Sequence, residues 1–213
     1  MAEHPGAMEP GEFDLVGFAV GVVERDQLLT GEHVRSGDVL IGLPSPGLRS
    51  NGYSLARKVL LERAGRALDG PAFQGAHHSL ADELLVPSVI YAPAVLEVLR
   101  VVDVRAIAHI TGGGIPGNLV RVLPDKADAV VDQSTWEPPR IFDEIQRLGD
   151  VSDAEMAKVF NLGIGMILVV PPDDAFRAID VLRSHGHAAR RIGQIEAGDG
   201  RVRLAGRSAP SAT

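Results

Sequence analysis

Apolar positions along this chain follow two rhythms in turn. The stretches 38–43, 105–110, 127–132 and 163–170 are short and almost continuously apolar, as buried strands are. Between them, 52–64, 92–102, 140–148, 152–160 and 173–184 place apolar residues three and four apart, the spacing of a helix with one buried face. In 52–64 the residues Tyr53, Ala56, Leu60 and Ala64 share such a face, with Val59 beside them, and Arg57, Lys58 and Glu62 take the wet side. Ser79 caps a short helix through Leu85 that Pro87 ends. Ser152 opens another, with Glu155 three residues on, a capping box. Asp173 and Asp174 place negative charge at a helix start, and Gly186 follows its end. Two closing strands, 189–195 and 201–204, flank an Ala-Gly-Asp-Gly turn. Strands alternating with helices predict an α/β (α+β) domain, with a mixed sheet and helices mainly on one face. Residues 13–23 predict one further strand, set apart by a polar, charged connection.

Two glycine-rich turns stand out against this pattern. Each follows a predicted strand and opens a predicted helix: Arg49-Ser50-Asn51-Gly52, and Thr111-Gly112-Gly113-Gly114 directly after His109-Ile110. A helix start leaves backbone N–H groups unpaired and carries partial positive charge, so it suits an anion such as phosphate. Glycine lets the backbone approach such a ligand closely. In the first turn a cation, a hydroxyl and an amide are offered together; the plainer reading is that Ser50 or Asn51 caps the helix. At the second, His109 has the chemistry to donate to an anion or shuttle a proton, or to serve structure alone. A third turn, Asn161-Leu162-Gly163, precedes a strand, and its residues alone favour a structural role for Asn161.

Composition narrows the field. The chain has 213 residues, 45% of them hydrophobic, which is ample for a core; aromatics are scarce, so aliphatic side chains do the packing. A net charge of −7 argues against nucleic acid as a partner. With no cysteine there is no disulfide, thiolate metal site or cysteine nucleophile. The histidines lack helical metal-ligand spacing, so no protein-made metal site is expected. The longest uncharged stretch is far short of the ~20 residues that a membrane span needs. A cytoplasmic protein is the expectation.

Taken together, Ala2-Glu3-His4-Pro5-Gly6, Gly37-Asp38-Val39-Leu40-Ile41-Gly42, Ser50-Asn51-Gly52-Tyr53, the run from Ala108 to Leu119, and Phe160-Asn161-Leu162-Gly163-Ile164-Gly165 occur in an order that resembles the aminoimidazole ribonucleotide synthetases, the phosphoribosylformylglycinamidine cyclo-ligases of purine biosynthesis. The resemblance implies ATP-dependent ring closure of formylglycinamidine ribonucleotide, with ATP and Mg²⁺ as cofactors and a homodimeric full-length form. It implies that residues 1–30 are a terminal strand and linker left from an N-terminal ATP-binding domain. Residues 31–205 would then be the C-terminal synthetase domain, and 206–213 a disordered tail. By matching position, His109 and Asn51 are expected in catalysis. Arg49, Ser50, Gly52, Thr111, Gly112, Gly113, Gly114 and Asn161 are expected against substrate or phosphate. Many relatives carry histidine where this chain has Arg49, which binds phosphate but is no base near neutral pH. Without most of the ATP-binding domain, cyclo-ligase turnover by this polypeptide alone is not expected. Two alternatives stay open: a non-catalytic phosphate- or nucleotide-binding module, and a related synthetase or kinase such as selenophosphate synthetase or thiamine-monophosphate kinase.

Overall fold

The computed structural model describes residues 16–206. Six strands form one sheet: β1 (Val39–Pro44), β2 (Ala106–His109), β3 (Ala127–Asp132), β4 (Ile164–Val170), β5 (Arg190–Ala197) and β6 (Val202–Ala205), in the order β2-β4-β1-β5-β3-β6. All neighbours are antiparallel except β3 and β6, so the sheet is mixed as expected. The helices are α1 (Tyr53–Arg57), which continues as a π-helical stretch over Lys58–Arg63, then α2 (Leu80–Leu84), α3 (Ala92–Val101), α4 (Gly114–Leu119), α5 (Arg140–Gly149), α6 (Asp153–Val159) and α7 (Ala175–Ser184).

The continuous apolar runs are explained by burial on both faces of the sheet. On one face Val39, Ile41 and Leu43 of β1 and Leu168 and Val170 of β4 meet Ala94, Val95 and Val98 of α3 and Ala178 and Leu182 of α7. On the other, Leu40, Ile167, Val169, Ala129 and Ile192 meet Ile115 and Leu119 of α4 and the indole of Trp136. Helices α3 and α7 therefore share a face of the sheet, while α4 covers the opposite one. Helices α1, α2, α5 and α6 make a third cluster around Leu60, Leu80, Phe142 and Phe160. Ser79 caps α2 with the reciprocal bonds of a capping box, closed by Asp82.

One expectation needs correction, and one point of topology is added. Residues 16–23 form no strand: Val16, Phe18, Val20 and Val22 keep their alternation, yet all four are exposed. A strand exists only where a neighbour completes its hydrogen-bond ladder, and alternation cannot supply one. Positions 13–15 of that stretch, the Ala2–Gly6 segment and the tail from 207 lie outside the described residues. The closing strands, adjacent in sequence, are also not neighbours in space, because β3 lies between β5 and β6.

Asp128 secures that crossing. Its Oδ1 accepts from the N–H of Asp199 at 2.8 Å and of Arg201 at 2.9 Å. Those donors hold the carboxyl below the usual carboxylate range. A depressed folded-state pKa stabilises the fold fully above the unfolded value and loses that contribution as pH falls through the folded one. Asp128→Asn keeps an accepting oxygen without the charge. The stability gap between the wild type and this variant, read from urea unfolding, is expected to be widest near neutrality and to shrink as pH falls through the acid range. A gap that does not vary with pH would contradict it.

Candidate functional site

The first turn hangs from the end of β1, and the third loop clasps it. Ser45 donates its N–H to the Gly163 carbonyl at 2.8 Å. Asn161 donates Nδ2–H to the carbonyls of Gly47 (2.8 Å) and Leu48 (3.4 Å), while its Oδ1 accepts from the Gly163 N–H at 2.8 Å. Asn161 is buried. Its amide is thus committed to shaping the first turn, as its residue type alone favoured, rather than held out toward a ligand.

Arg49 sits in the left-handed region, with φ of 62°, and that turn sends its side chain inward. The guanidinium is buried and donates to the carbonyls of Ile110 and, at 3.3 Å, Gly165; its Nη1 also lies 3.3 Å from Nε2 of His109. Expected against substrate phosphate, Arg49 instead staples the first turn to the ends of β2 and β4. Tyr91, at the start of α3, stands behind it, with its hydroxyl donating to the Pro44 carbonyl at 2.6 Å. Gly165 leaves room for both groups: a Cβ there would fall 2.1 Å from the Tyr91 hydroxyl and 2.8 Å from Nη1 of Arg49.

The second turn leaves β2 at His109 and enters α4. Asn118 laces it from within, donating Nδ2–H to the carbonyls of Gly114 (2.8 Å), Gly112 (3.2 Å) and Thr111 (3.3 Å), and accepting from the Thr111 hydroxyl at 3.0 Å. His109 is partly exposed, with its Nε2 side covered by Arg49. Partial burial and then the Arg49 cation push its pKa below the ordinary histidine value.

These turns come together on the end of α6. Gly52 packs on the Phe160 ring, Gly114 on the carbonyls of Ala157 and Phe160, and a Cβ on Gly112 would stand 3.5 Å from Oδ1 of Asn51. Gly52 caps α1 and Gly113 caps α4, both in left-handed geometry and with no side-chain cap. Neither Ser50 nor Asn51 therefore spends its side chain on a cap, contrary to the plainer reading. No N–H of Ser50, Gly52, Gly112 or Gly113 bonds a described residue, whereas that of Asn51 closes the turn over residues 49–50. The result is a rim of unpaired main-chain donors, the Asn51 amide, the Thr111 backbone and the His109 ring, suited to anionic oxygens.

Sequence reasoning missed three residues here. Asn118 was within reach, as a short polar residue in a glycine-rich turn. Tyr91 and the need for Gly165 left no local signal, since both arise from packing between distant segments.

Comparison with known proteins identifies the family to which this fold belongs. Residues 35–205 match the family model described as AIR synthase related protein, C-terminal domain. The chain is 52% identical over 199 residues to a phosphoribosylformylglycinamidine cyclo-ligase of Myxococcus xanthus, covering 93% of this chain and 57% of that protein. It is 48% identical over 202 residues to the corresponding Symbiobacterium thermophilum protein, with the same coverage. The chain thus spans little more than half the length of the curated relatives it matches. Among solved structures, thiamine-monophosphate kinase from Stenotrophomonas maltophilia has a TM-score of 0.58 at 18% identity, over 88% of this chain and 56% of that one. The hydrogenase maturation protein HypE in complex with ATP has 0.54 at 20%, over 85% and 51%. At such identities the likeness concerns the fold alone. With the family model matched over most of its length, and the strand–glycine–helix turns in place, this chain belongs to the AIR synthase related proteins and carries their C-terminal domain.

Proposed function

We propose that this domain forms the substrate-facing side of an ATP-dependent cyclo-ligase that closes formylglycinamidine ribonucleotide to aminoimidazole ribonucleotide. The convergence of the two turns on one rim carries the reading, together with 52% identity to a cyclo-ligase. ATP, when bound, supplies the phosphoryl group that turns the formyl oxygen into a good leaving group. The residues of this chain then bind and orient. Free N–H groups of Ser50, Gly52, Gly112 and Gly113 take phosphate oxygens, the Asn51 side chain holds the amide-like part of the substrate, and His109 meets the oxygen where charge develops. Ser50, Gly52, Thr111 and Gly114 shape the backbone, while Arg49 and Asn161 support it from behind.

Mg²⁺ does not fit this rim. No carboxylate occurs in 49–53 or 109–118, and among the described residues no group of three His, Cys, Asp or Glu gathers to hold a metal. The reading assigns the metal to residues outside the two turns, and it entails a cytoplasmic, homodimeric enzyme when full length. Residues 31–205 act in it as the synthetase domain, with 1–30 belonging to a neighbouring one.

Isothermal titration of the chain with formylglycinamidine ribonucleotide is expected to give a Kd on the order of micromolar to tens of micromolar, about −6 to −8 kcal/mol. Asn51→Ala is expected to weaken it roughly tenfold, which is ~1.4 kcal/mol. Gly113→Val, which puts a branched side chain at φ of 98°, is expected to abolish binding. No heat at millimolar ribonucleotide, or unchanged affinity in both variants, would overturn the proposal.

A further inference from the structure

We infer that Arg49 is a positioning residue that holds His109 as a neutral imidazole with its proton on Nδ1, so that the ring presents a hydrogen-bond donor, not a base, to the rim. This deepens the function proposed above and rests on it only for what the donor meets, an anionic or carbonyl oxygen of the substrate. The tautomer itself stands on geometry.

A guanidinium has only donors and keeps its charge at any pH a protein survives. The 3.3 Å contact between Arg49 Nη1 and His109 Nε2 is therefore a hydrogen bond only if Nε2 keeps its lone pair. In the neutral ring the proton then belongs on Nδ1, which bonds no described residue. Arg49 is not free to move aside. Its other bonds run to the carbonyls of Ile110 and Gly165, it is buried, and the Tyr91 hydroxyl with the missing Cβ of Gly165 defines its slot.

The surroundings of His109 favour the same state. Its partner across the ladder on β4 is Met166, which carries no charge. Arg49 reaches it from the loop after β1, and Tyr91, from the start of α3, contacts Arg49. No carboxylate forms an ion pair with His109 among the described residues. A second proton on Nε2 would set two cations 3.3 Å apart and remove the bond. Burial and the Arg49 charge both push the ring toward the neutral form. The residue type at position 49 thus decides what His109 offers: a histidine there can accept as well as donate and would not fix the tautomer.

The test is long-range ¹H–¹⁵N correlation on the chain labelled in its histidines, with His109→Gln identifying the His109 signals by their loss. Above the titration midpoint the Nδ1–H pattern is expected to dominate, with a midpoint below that of histidine in the urea-unfolded chain. A dominant Nε2–H pattern, or a midpoint at or above the unfolded one, overturns the inference. In Arg49→Met the Nε2–H form is expected to gain and the midpoint to rise; an unchanged ring in a folded variant overturns it. Arg49→Lys keeps the cation and is expected to hold the midpoint low. Should Arg49→Met not fold, the wild-type pattern alone decides. None of these readings needs the ribonucleotide to bind, so a silent calorimeter beside an Nδ1–H ring would sink the proposed function and spare the tautomer.

Discussion

Gly114→Ala is expected to destabilise the domain by about 2 to 4 kcal/mol, seen as a lowered urea midpoint. A Cβ at this position would lie 1.8 Å from the Ala157 carbonyl oxygen and 2.9 Å from that of Phe160, with φ of 60°. Both obstacles are main chain at the end of α6, so no side-chain rotation relieves them. Overpacking of this kind costs about 1 to 3 kcal/mol, and forcing alanine into left-handed geometry adds about 1. Gly117→Ala, three residues on in the same helix, is the internal control. Nothing stands within 4 Å of its Cβ position, and alanine in a helix is favoured over glycine by up to ~1 kcal/mol. The two substitutions are therefore expected to move stability in opposite directions. If Gly114→Ala unfolds at the wild-type midpoint, the close seating of the second turn on α6 is wrong, and the shared rim fails with it.

Asn161→Leu is expected to cost about 3 kcal/mol. The side chain is 3% exposed; its loss leaves the N–H of Gly163 without a partner and the carbonyl of Gly47 with only the Ser45 hydroxyl, at 3.4 Å. Each buried group without a partner costs about 1 to 3 kcal/mol. Because the clasp sets the path of residues 45–48, the loss should also loosen Arg49 and weaken ribonucleotide binding in calorimetry. Asn161→Asp separates the two halves of the clasp, since it keeps the bond from Gly163 and loses both donated ones. Stability equal to wild type in Asn161→Leu would mean that the third loop does not position the first.

Much of this architecture can be read from local patterns because its causes are local. The buried runs at 39–44 and 164–170 and the amphipathic faces of α1, α5 and α7 depend on spacing within a dozen residues. The Ser79 and Ser152 starts depend on residues three apart, a full capping box at Ser79 and only the Glu155 N–H on the Ser152 hydroxyl at the other. What escaped reading depends on partners far along the chain. The stretch 16–23 has strand alternation but no ladder to join. The order β5-β3-β6 follows from a pairing that residues 197–200 do not announce.

The site divides the same way. Both glycine turns, with Asn51 and His109 on them, are visible in the sequence, because three successive glycines after an apolar strand imply a close backbone approach. The inward course of Arg49 is not. It needs a positive φ, two carbonyls from strands about 60 and 116 residues away, and a gap that only Gly165 provides. A charged residue next to a glycine-rich turn reads as a ligand contact, yet burial with matched acceptors makes it a staple.

The most direct measurement follows the backbone amide signals by NMR as formylglycinamidine ribonucleotide is added. The shared-rim account expects the largest shifts at residues 50–53 and 111–114, saturating together at one ligand per chain and shrinking in Asn51→Ala. Shifts that gather elsewhere, or that reach one turn and leave the other untouched, would contradict it.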